Sequence, residues 1–259
     1  MAYKTVIYSE SDGIATITLN RPDKRNAISY ELIAELTSAL KDAAQSSAQV
    51  LILTGAGSAF CAGMDLENLK GLLGRTPEQN LDDSHTMAAL FRSLYDFPKP
   101  TIAAVNGAAI AGGTGLATIC DFTLTVPEAK FGYTEVRIGF LPAIVSSFLL
   151  ANIGEKPARD LLLTGRIFGA EEAHHLGLVN EIVAPDQLMP RTLQLAQQLL
   201  ENSPASMQAT KRLISSYTRD QLSRQIGQAV RANAEIRQTD DFKEGITSFL
   251  EKRKPKWTK

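Results

Sequence analysis

Apolar and polar residues alternate over residues 4–8 and again over 14–19. With Ser11, Asp12 and Gly13 between them, the two runs predict a β-hairpin. A polar loop, residues 20–26, follows. The period then changes: Leu32, Ile33, Leu36 and Leu40 fall on one face of a helix predicted over Tyr30–Gln45, with Ser29 placed to cap it. Residues 50–54 form a short β run. Between residues 66 and 80 the pattern weakens at Gly71, Gly74 and Pro77, which predicts a mobile loop or a short helix. A helix over residues 81–96 stops before Pro98 and Pro100. Strands are predicted at Thr101–Val105, 121–126 and 129–131, and a short helix at 114–120. Further helices fall at 143–152, 156–163 and 170–176, and a β run at 177–183 is closed by Pro185. Strand and helix in alternation argue for an α/β core.

After Ser203 and Pro204 the alternation ends. Three helical segments are predicted, 205–217, 219–238 and 241–252, with Thr218 and Thr239 as caps. The chain thus divides into an α/β core, residues 1–195, and a helical region, residues 196–259. Such a region serves as a lid, a packing extension or an oligomerisation element.

Composition narrows the class. With 259 residues and 44% of them hydrophobic, the chain has ample material for a packed core. A net charge of −1 argues against nucleic acid or an anionic membrane as partner. Cys61 and Cys120 lie among small apolar residues, which predicts buried, reduced thiols. No secretory pattern opens the chain and no apolar run reaches the length of a bilayer span, so a cytoplasmic protein is expected. His85, His174 and His175 lack the spacing of metal ligands, so no metal is expected.

Three stretches carry candidate chemistry. Residues 105–122, V-N-G-A-A-I-A-G-G-T-G-L-A-T-I-C-D-F, lead from a strand through small residues into a helix. The first amides of a helix lack internal partners and sit at its positive end. Residues 59–66, A-F-C-A-G-M-D-L, also follow a strand and bare the backbone at a glycine. Two such turns can together offer N–H groups to an oxyanion. Cys61 lies in one of them, but neither turn holds a histidine to act as its base. The third stretch holds Glu135 among Phe131, Val136, Ile138, Phe140 and Leu141. Either this carboxylate is buried, with a raised pKa, or it pairs with Arg137 or another base at the surface. The basic tail, residues 252–259, is a solvated end or a phosphate contact.

Taken together these stretches resemble the crotonase superfamily, also called the enoyl-CoA hydratase/isomerase family. The matching text is N-R-P-D-K-R-N-A at 20–27, A-F-C-A-G-M-D-L at 59–66, P-T-I-A-A-V-N-G-A-A-I-A-G-G at 100–113 and A-K-F-G-Y-T-E-V-R-I-G at 129–139. C-D-F at 120–122, G-L-V-N-E-I-V at 177–183 and E-G-I-T-S-F-L-E-K-R-K at 244–254 complete it. The resemblance implies a spiral of repeated ββα units with a C-terminal helical region used in trimer formation, and a homotrimer or a hexamer of two trimers. It implies acyl-CoA thioester substrates, with CoA entering as part of the substrate and no separate cofactor. The oxyanion-hole amides map to Met64 and Gly112, and the acid/base to Glu135. CoA contacts map to Lys24, Arg25, Ala27, Ala62, Asp65 and Leu66, with Lys252 reaching a CoA phosphate. One departure stands out. Family hydratases usually carry a second glutamate three residues after the oxyanion glycine, and this chain has Gly115 there. A single carboxylate suits 3-to-2 double-bond isomerisation, while T-E-V-R-I-G also resembles hydratases of branched enoyl-CoAs. Gly115 could mark room for a bulky acyl chain. A non-catalytic acyl-CoA-binding protein of the same fold is the alternative from another class.

Overall fold

The structure, a computed structural model, describes residues 3–258; Lys259 of the basic tail lies outside them. Strands β1 (Val6–Ser11) and β2 (Ile14–Leu19) form the expected hairpin, turning through Asp12 and Gly13 at positive φ. Helix α1 (Tyr30–Gln45) begins where the Ser29 hydroxyl accepts the Leu32 N–H at 3.2 Å. Its apolar stripe is buried.

Strand β3 (Val50–Gly55) pairs parallel to β2, and β4 (Ala59–Cys61) then turns into a second sheet. Helices α2 (Leu66–Gly71) and α3 (Pro77–Tyr95) follow. Strands β5 (Thr101–Val105) and β6 (Ala108–Ile110) repeat the split and lead into helix α4 (Gly112–Thr118). Strands β7 (Phe122–Thr125) and β8 (Lys130–Gly132) do so again, before helices α5 (Ala143–Ile153) and α6 (Glu155–Thr164). Then come β9 (Ile167–Gly169), α7 (Ala170–His175), β10 (Glu181–Ile182), α8 (Leu188–Leu200), α9 (Pro204–Ile236) and α10 (Asp240–Leu250).

The first sheet has the order β1-β2-β3-β5-β7-β10 and the second β4-β6-β8-β9. Each of the pairs β3/β4, β5/β6 and β7/β8 therefore places one strand in each sheet, and the chain climbs by one strand per turn. Parallel neighbours need a crossover, which the helices supply. This is the expected spiral of ββα units. Strands β3 and β5 are buried almost throughout, as the middle of a covered parallel sheet demands.

The structure departs from the sequence pattern in several places. The weak stretch 66–80 is ordered into α2, a 3-10 turn (Leu72–Gly74) and the start of α3. Helix α3 starts at Pro77, before residue 81, because Thr76 and Gln79 form a capping box and Pro77 occupies the first turn. The β run at 177–183 contracts to β10. Helix α8 appears where no helix was predicted, and spans the position of the boundary drawn at residue 195. Residues 205–217 and 219–236 are one helix, α9, so Thr218 is no cap: neither Gly nor Pro stands near the predicted break, and α3 and α5 support the helix's length. Leu222 and Val230 of α9 join the main core. A smaller cluster joins Leu69 and Leu72 to Phe242 and Ile246 of α10. No helix of the described residues is long and apolar enough to cross a membrane.

Helix α4 lies directly against β4. A Cβ built at Gly113 would stand 2.2 Å from the Cys61 carbonyl oxygen, a contact that backbone cannot yield. Gly113→Ala is expected to lower stability by roughly 1–3 kcal/mol, read as a drop in the denaturant midpoint. Gly71→Ala provides a contrast of opposite sign. That glycine ends α2 with nothing within 4 Å of an added Cβ, so the change is expected to stabilise by about 0.4–1 kcal/mol.

Candidate active site

Two turns at the ends of β4 and β6 face one another. In the first, Gly63 has φ +86, open to glycine, and Met64 forms an isolated bridge with Ile28. The Ile28 N–H donates to the Gly63 carbonyl at 2.7 Å, and the Asp65 N–H to the Ile28 carbonyl at 3.0 Å. In the second, Ala111 takes φ 51 and ψ −122, held there by its N–H donating to the Gly132 carbonyl at 2.6 Å. A non-glycine residue in that region carries strain. Gly112 then opens α4. A Cβ at Gly63 would meet the Ile110 oxygen at 3.0 Å and the Ala111 Cβ at 3.2 Å, so the turns abut. Among the described residues neither the Met64 nor the Gly112 N–H has an acceptor. Both residues line one cavity of about 420 Å³.

Glu135 lines the same cavity. It opens a 3-10 turn (Glu135–Ile138) directly after β8. Helix α10 presses on this turn: a Cβ at Gly245 would lie 2.3 Å from the Ile138 backbone, and one at Gly139 2.3 Å from the Asp241 oxygen. Glu135 is 8% exposed, and its Oε2 has no hydrogen-bond partner. Burial pushes its carboxyl up from 4.5 to about 7. The surface alternative is thereby decided: Arg137 is exposed and no ion pair to Glu135 forms among the described residues. Thr134, beside it, makes no capping bond.

Gly115 is buried, and its surroundings are filled. A Cβ there would stand 2.5 Å from Phe91 Cε1 and 2.6 Å from Val145 Cγ1. The idea that Gly115 leaves room for a bulky acyl chain is therefore corrected: Phe91 of α3 and Val145 of α5 occupy that space. Among the described residues Glu135 is the one acidic side chain on the cavity wall.

The other candidate residues divide. Ala62 lines the cavity beside Met64, and its N–H donates to the Arg25 carbonyl at 3.0 Å. Lys24 and Arg25 are exposed on the same loop, with Arg25 at φ 50, while Ala27 is buried. Asp65 is buried and engaged. Its carboxylate caps α2 at the Glu67 N–H (3.0 Å) and pairs with Arg21 at 2.8 Å. Burial opposes its charge, but the Arg21 bond and the backbone donors together hold it below the usual carboxylate range. Leu66 is exposed and off the cavity wall. Lys252 is exposed just beyond α10, three residues after Phe249, which does line the cavity. Burial pushes both cysteine thiols up to about 12, so Cys61 is held as an unreactive thiol. His85, His174 and His175 are exposed.

Several wall residues carried no signal in the chain's pattern. Phe91 and Val145 read as ordinary core positions, and Asn233 of α9 and Arg237, just past its end, as polar positions on a helix. Only the packing of α3, α5 and α9 brings them together.

Two bare amides and one buried carboxylate on an apolar cavity have the layout of a proton-transfer site beside an oxyanion hole. Residues 9–259 match the family model described as enoyl-CoA hydratase/isomerase. The chain is 43% identical over 253 residues to a Thermus thermophilus protein provisionally named enoyl-CoA hydratase, covering 97% of this chain and all of that one. It is 33% identical to the crotonyl-CoA hydratase of Syntrophomonas wolfei, covering 98% of each. Among solved structures, an enoyl-CoA hydratase/isomerase from Xanthobacter autotrophicus superimposes with a TM-score of 0.91 at 28% identity, over 96% of this chain and 94% of that one. The chain belongs to the enoyl-CoA hydratase/isomerase family, whose members act on acyl-CoA thioesters.

The raised pKa of Glu135 links stability to pH. Between 4.5 and about 7 the native state holds a proton that the unfolded chain has released, so stability falls as pH rises through that window. Above it a penalty of roughly 3 kcal/mol remains. Glu135→Gln is expected to melt higher than the parent at pH 8, with the difference shrinking as the pH is lowered toward 4.5. Thermal melting across that range measures it.

Proposed function

We propose that this protein shifts the double bond of an enoyl-CoA thioester by proton transfer at Glu135. The Met64 and Gly112 N–H groups receive the thioester oxygen. The Glu135 carboxylate removes a proton from C2 of a 3-enoyl thioester, and the electrons pass to that oxygen as a dienolate. The two amides stabilise the charge, being oriented before reaction starts. The protonated carboxyl then returns its proton at C4, leaving the double bond between C2 and C3. A carboxyl titrating near 7 is suited to both halves of that exchange. These steps call on no metal or redox group, and CoA arrives with the substrate.

The observation that carries this reading is the filled space at Gly115. Phe91 and Val145 stand where a second carboxylate would have to project, leaving one acid/base on the cavity. Hydration of a 2-enoyl thioester is the second reading. The names of relatives favour it, among them the Syntrophomonas wolfei crotonyl-CoA hydratase and a 2,3-dehydroadipyl-CoA hydratase of Escherichia coli, 33% identical over 252 residues. On that reading Glu135 alone would activate water and supply the C2 proton.

CoA would lie along the exposed loop carrying Lys24 and Arg25 and against the backbone at Ala62, with Lys252 available to a phosphate. Exposed Leu213, Ile214 and Tyr217 on α9 support assembly of several copies, as trimers or paired trimers.

The test is a mass-resolved assay of trans-3-hexenoyl-CoA and trans-2-hexenoyl-CoA. Isomerisation predicts a same-mass product from the first, lost by about 10²–10⁴-fold in Glu135→Gln. The rate should fall as pH drops below about 7, when the base becomes protonated. A Glu135-dependent product heavier by one water would select hydration. Tight binding without turnover would select a binding protein.

A further inference from the structure

Besides Thr134 and the exposed Arg137, two polar side chains on the cavity wall, Asn233 and Arg237, have no part in the proton transfer. They belong to a buried cluster between α3 and α9. Arg237 Nη1 donates to Asp83 Oδ2 at 2.6 Å and to Asn80 Oδ1 at 3.3 Å. Its Nη2 donates to Asn233 Oδ1 at 2.6 Å, which also accepts from Ser84 Oγ at 2.8 Å. Arg75 Nη1 donates to the other Asp83 oxygen at 2.9 Å. The Arg237 guanidinium also lies over the Phe140 ring, 5.2 Å from its centre, and Phe140 is itself on the wall.

Two features of this cluster are unbalanced. Two guanidinium groups face one carboxylate, and the Arg237 side chain is only 2% exposed, so solvent screens its charge little. The donors are also in excess. Arg237 Nε is buried without an acceptor, and the Asn233 amide spends one hydrogen on a long bond to the Leu141 carbonyl (3.4 Å). Glu135 does not answer this excess. No ion pair to Glu135 forms among the described residues, and burial holds its carboxyl well above the usual carboxylate range. A hydrocarbon chain would leave the orphaned donor and the extra charge as they are. A carboxylate on the acyl chain would supply the second anion and the missing acceptor together.

Accepting the acyl-CoA reading above, we propose that the cavity takes acyl chains ending in a carboxylate, which Arg237 and Asn233 recognise. The substrates are then CoA thioesters of dicarboxylic acids, and the reactions feeding the site leave an acid at the far end of the chain.

The test compares binding of saturated, non-reacting thioesters by calorimetry: hexanoyl-CoA against adipyl-CoA, and octanoyl-CoA against suberyl-CoA. The proposal expects at least one carboxylate-ended member to bind about tenfold or more tightly than its methyl-ended partner. That preference should vanish in Arg237→Met, with folding checked by circular dichroism. Arg237→Met/Asp83→Asn, which removes both charges of the pair, is the second variant should the first fail to fold. Equal or tighter binding of the methyl-ended chains by the parent protein overturns the proposal, as does a preference that persists in a folded variant. Failure of all four thioesters to bind would instead overturn the acyl-CoA reading, and this inference with it.

Discussion

The candidate site depends on backbone meeting backbone. Gly113 lets the first turn of α4 settle against the Cys61 carbonyl, and Gly63 lets the neighbouring turn meet Ile110 and Ala111. Two amides are thereby held side by side with no acceptor of their own. Unsatisfied donors of this kind are unfavourable in a resting protein, and they persist because the surrounding sheets leave the turns no other course. The split of β3/β4 and β5/β6 between two sheets is what brings the ends of β4 and β6 together.

Glu135 is the second stored cost. Its carboxyl is buried beside apolar and aromatic side chains, with one oxygen unpartnered. It is kept in place by the 3-10 turn after β8 and by α10, whose Gly245 allows backbone contact with that turn. The helical end of the chain therefore shapes the acidity of a group more than a hundred positions earlier. A carboxyl on an exposed loop would be ionised and solvated at neutral pH, and a poor acid in the return half of a proton exchange.

The remaining walls come from α3, α5 and α9. Phe91 and Val145 close the space at Gly115, so no side chain could project from that position into the cavity without displacing them. Asp83, Asn233 and Arg237 tie α3 to α9 through a buried polar cluster open to the cavity. Helix α3 thus takes part in both, closing the space at Gly115 with α5 and setting the polarity of the wall with α9.

Local signals located much of this. The hairpin, α1 with its Ser29 cap, and the two glycine turns follow from alternation, helical period and residues that tolerate unusual backbone. Glu135 among apolar neighbours and glycine at position 115 were legible as residues, and they narrowed the chemistry to one carboxylate. Other features were not. The neighbours of Glu135 along the chain fitted either burial or a pair with Arg137, and only the packing of α10 and the walls of the cavity decided for burial. Nothing local reveals that α9 is one helix of 33 residues, that Phe91 and Val145 meet at Gly115, or that Arg237 faces a cavity. Local structure is set by interactions within a few residues, which sequence displays directly. Burial, the charge balance of a cluster and the shape of a pocket are set by elements separated by tens to more than a hundred positions, and those contacts exist only once the chain is folded.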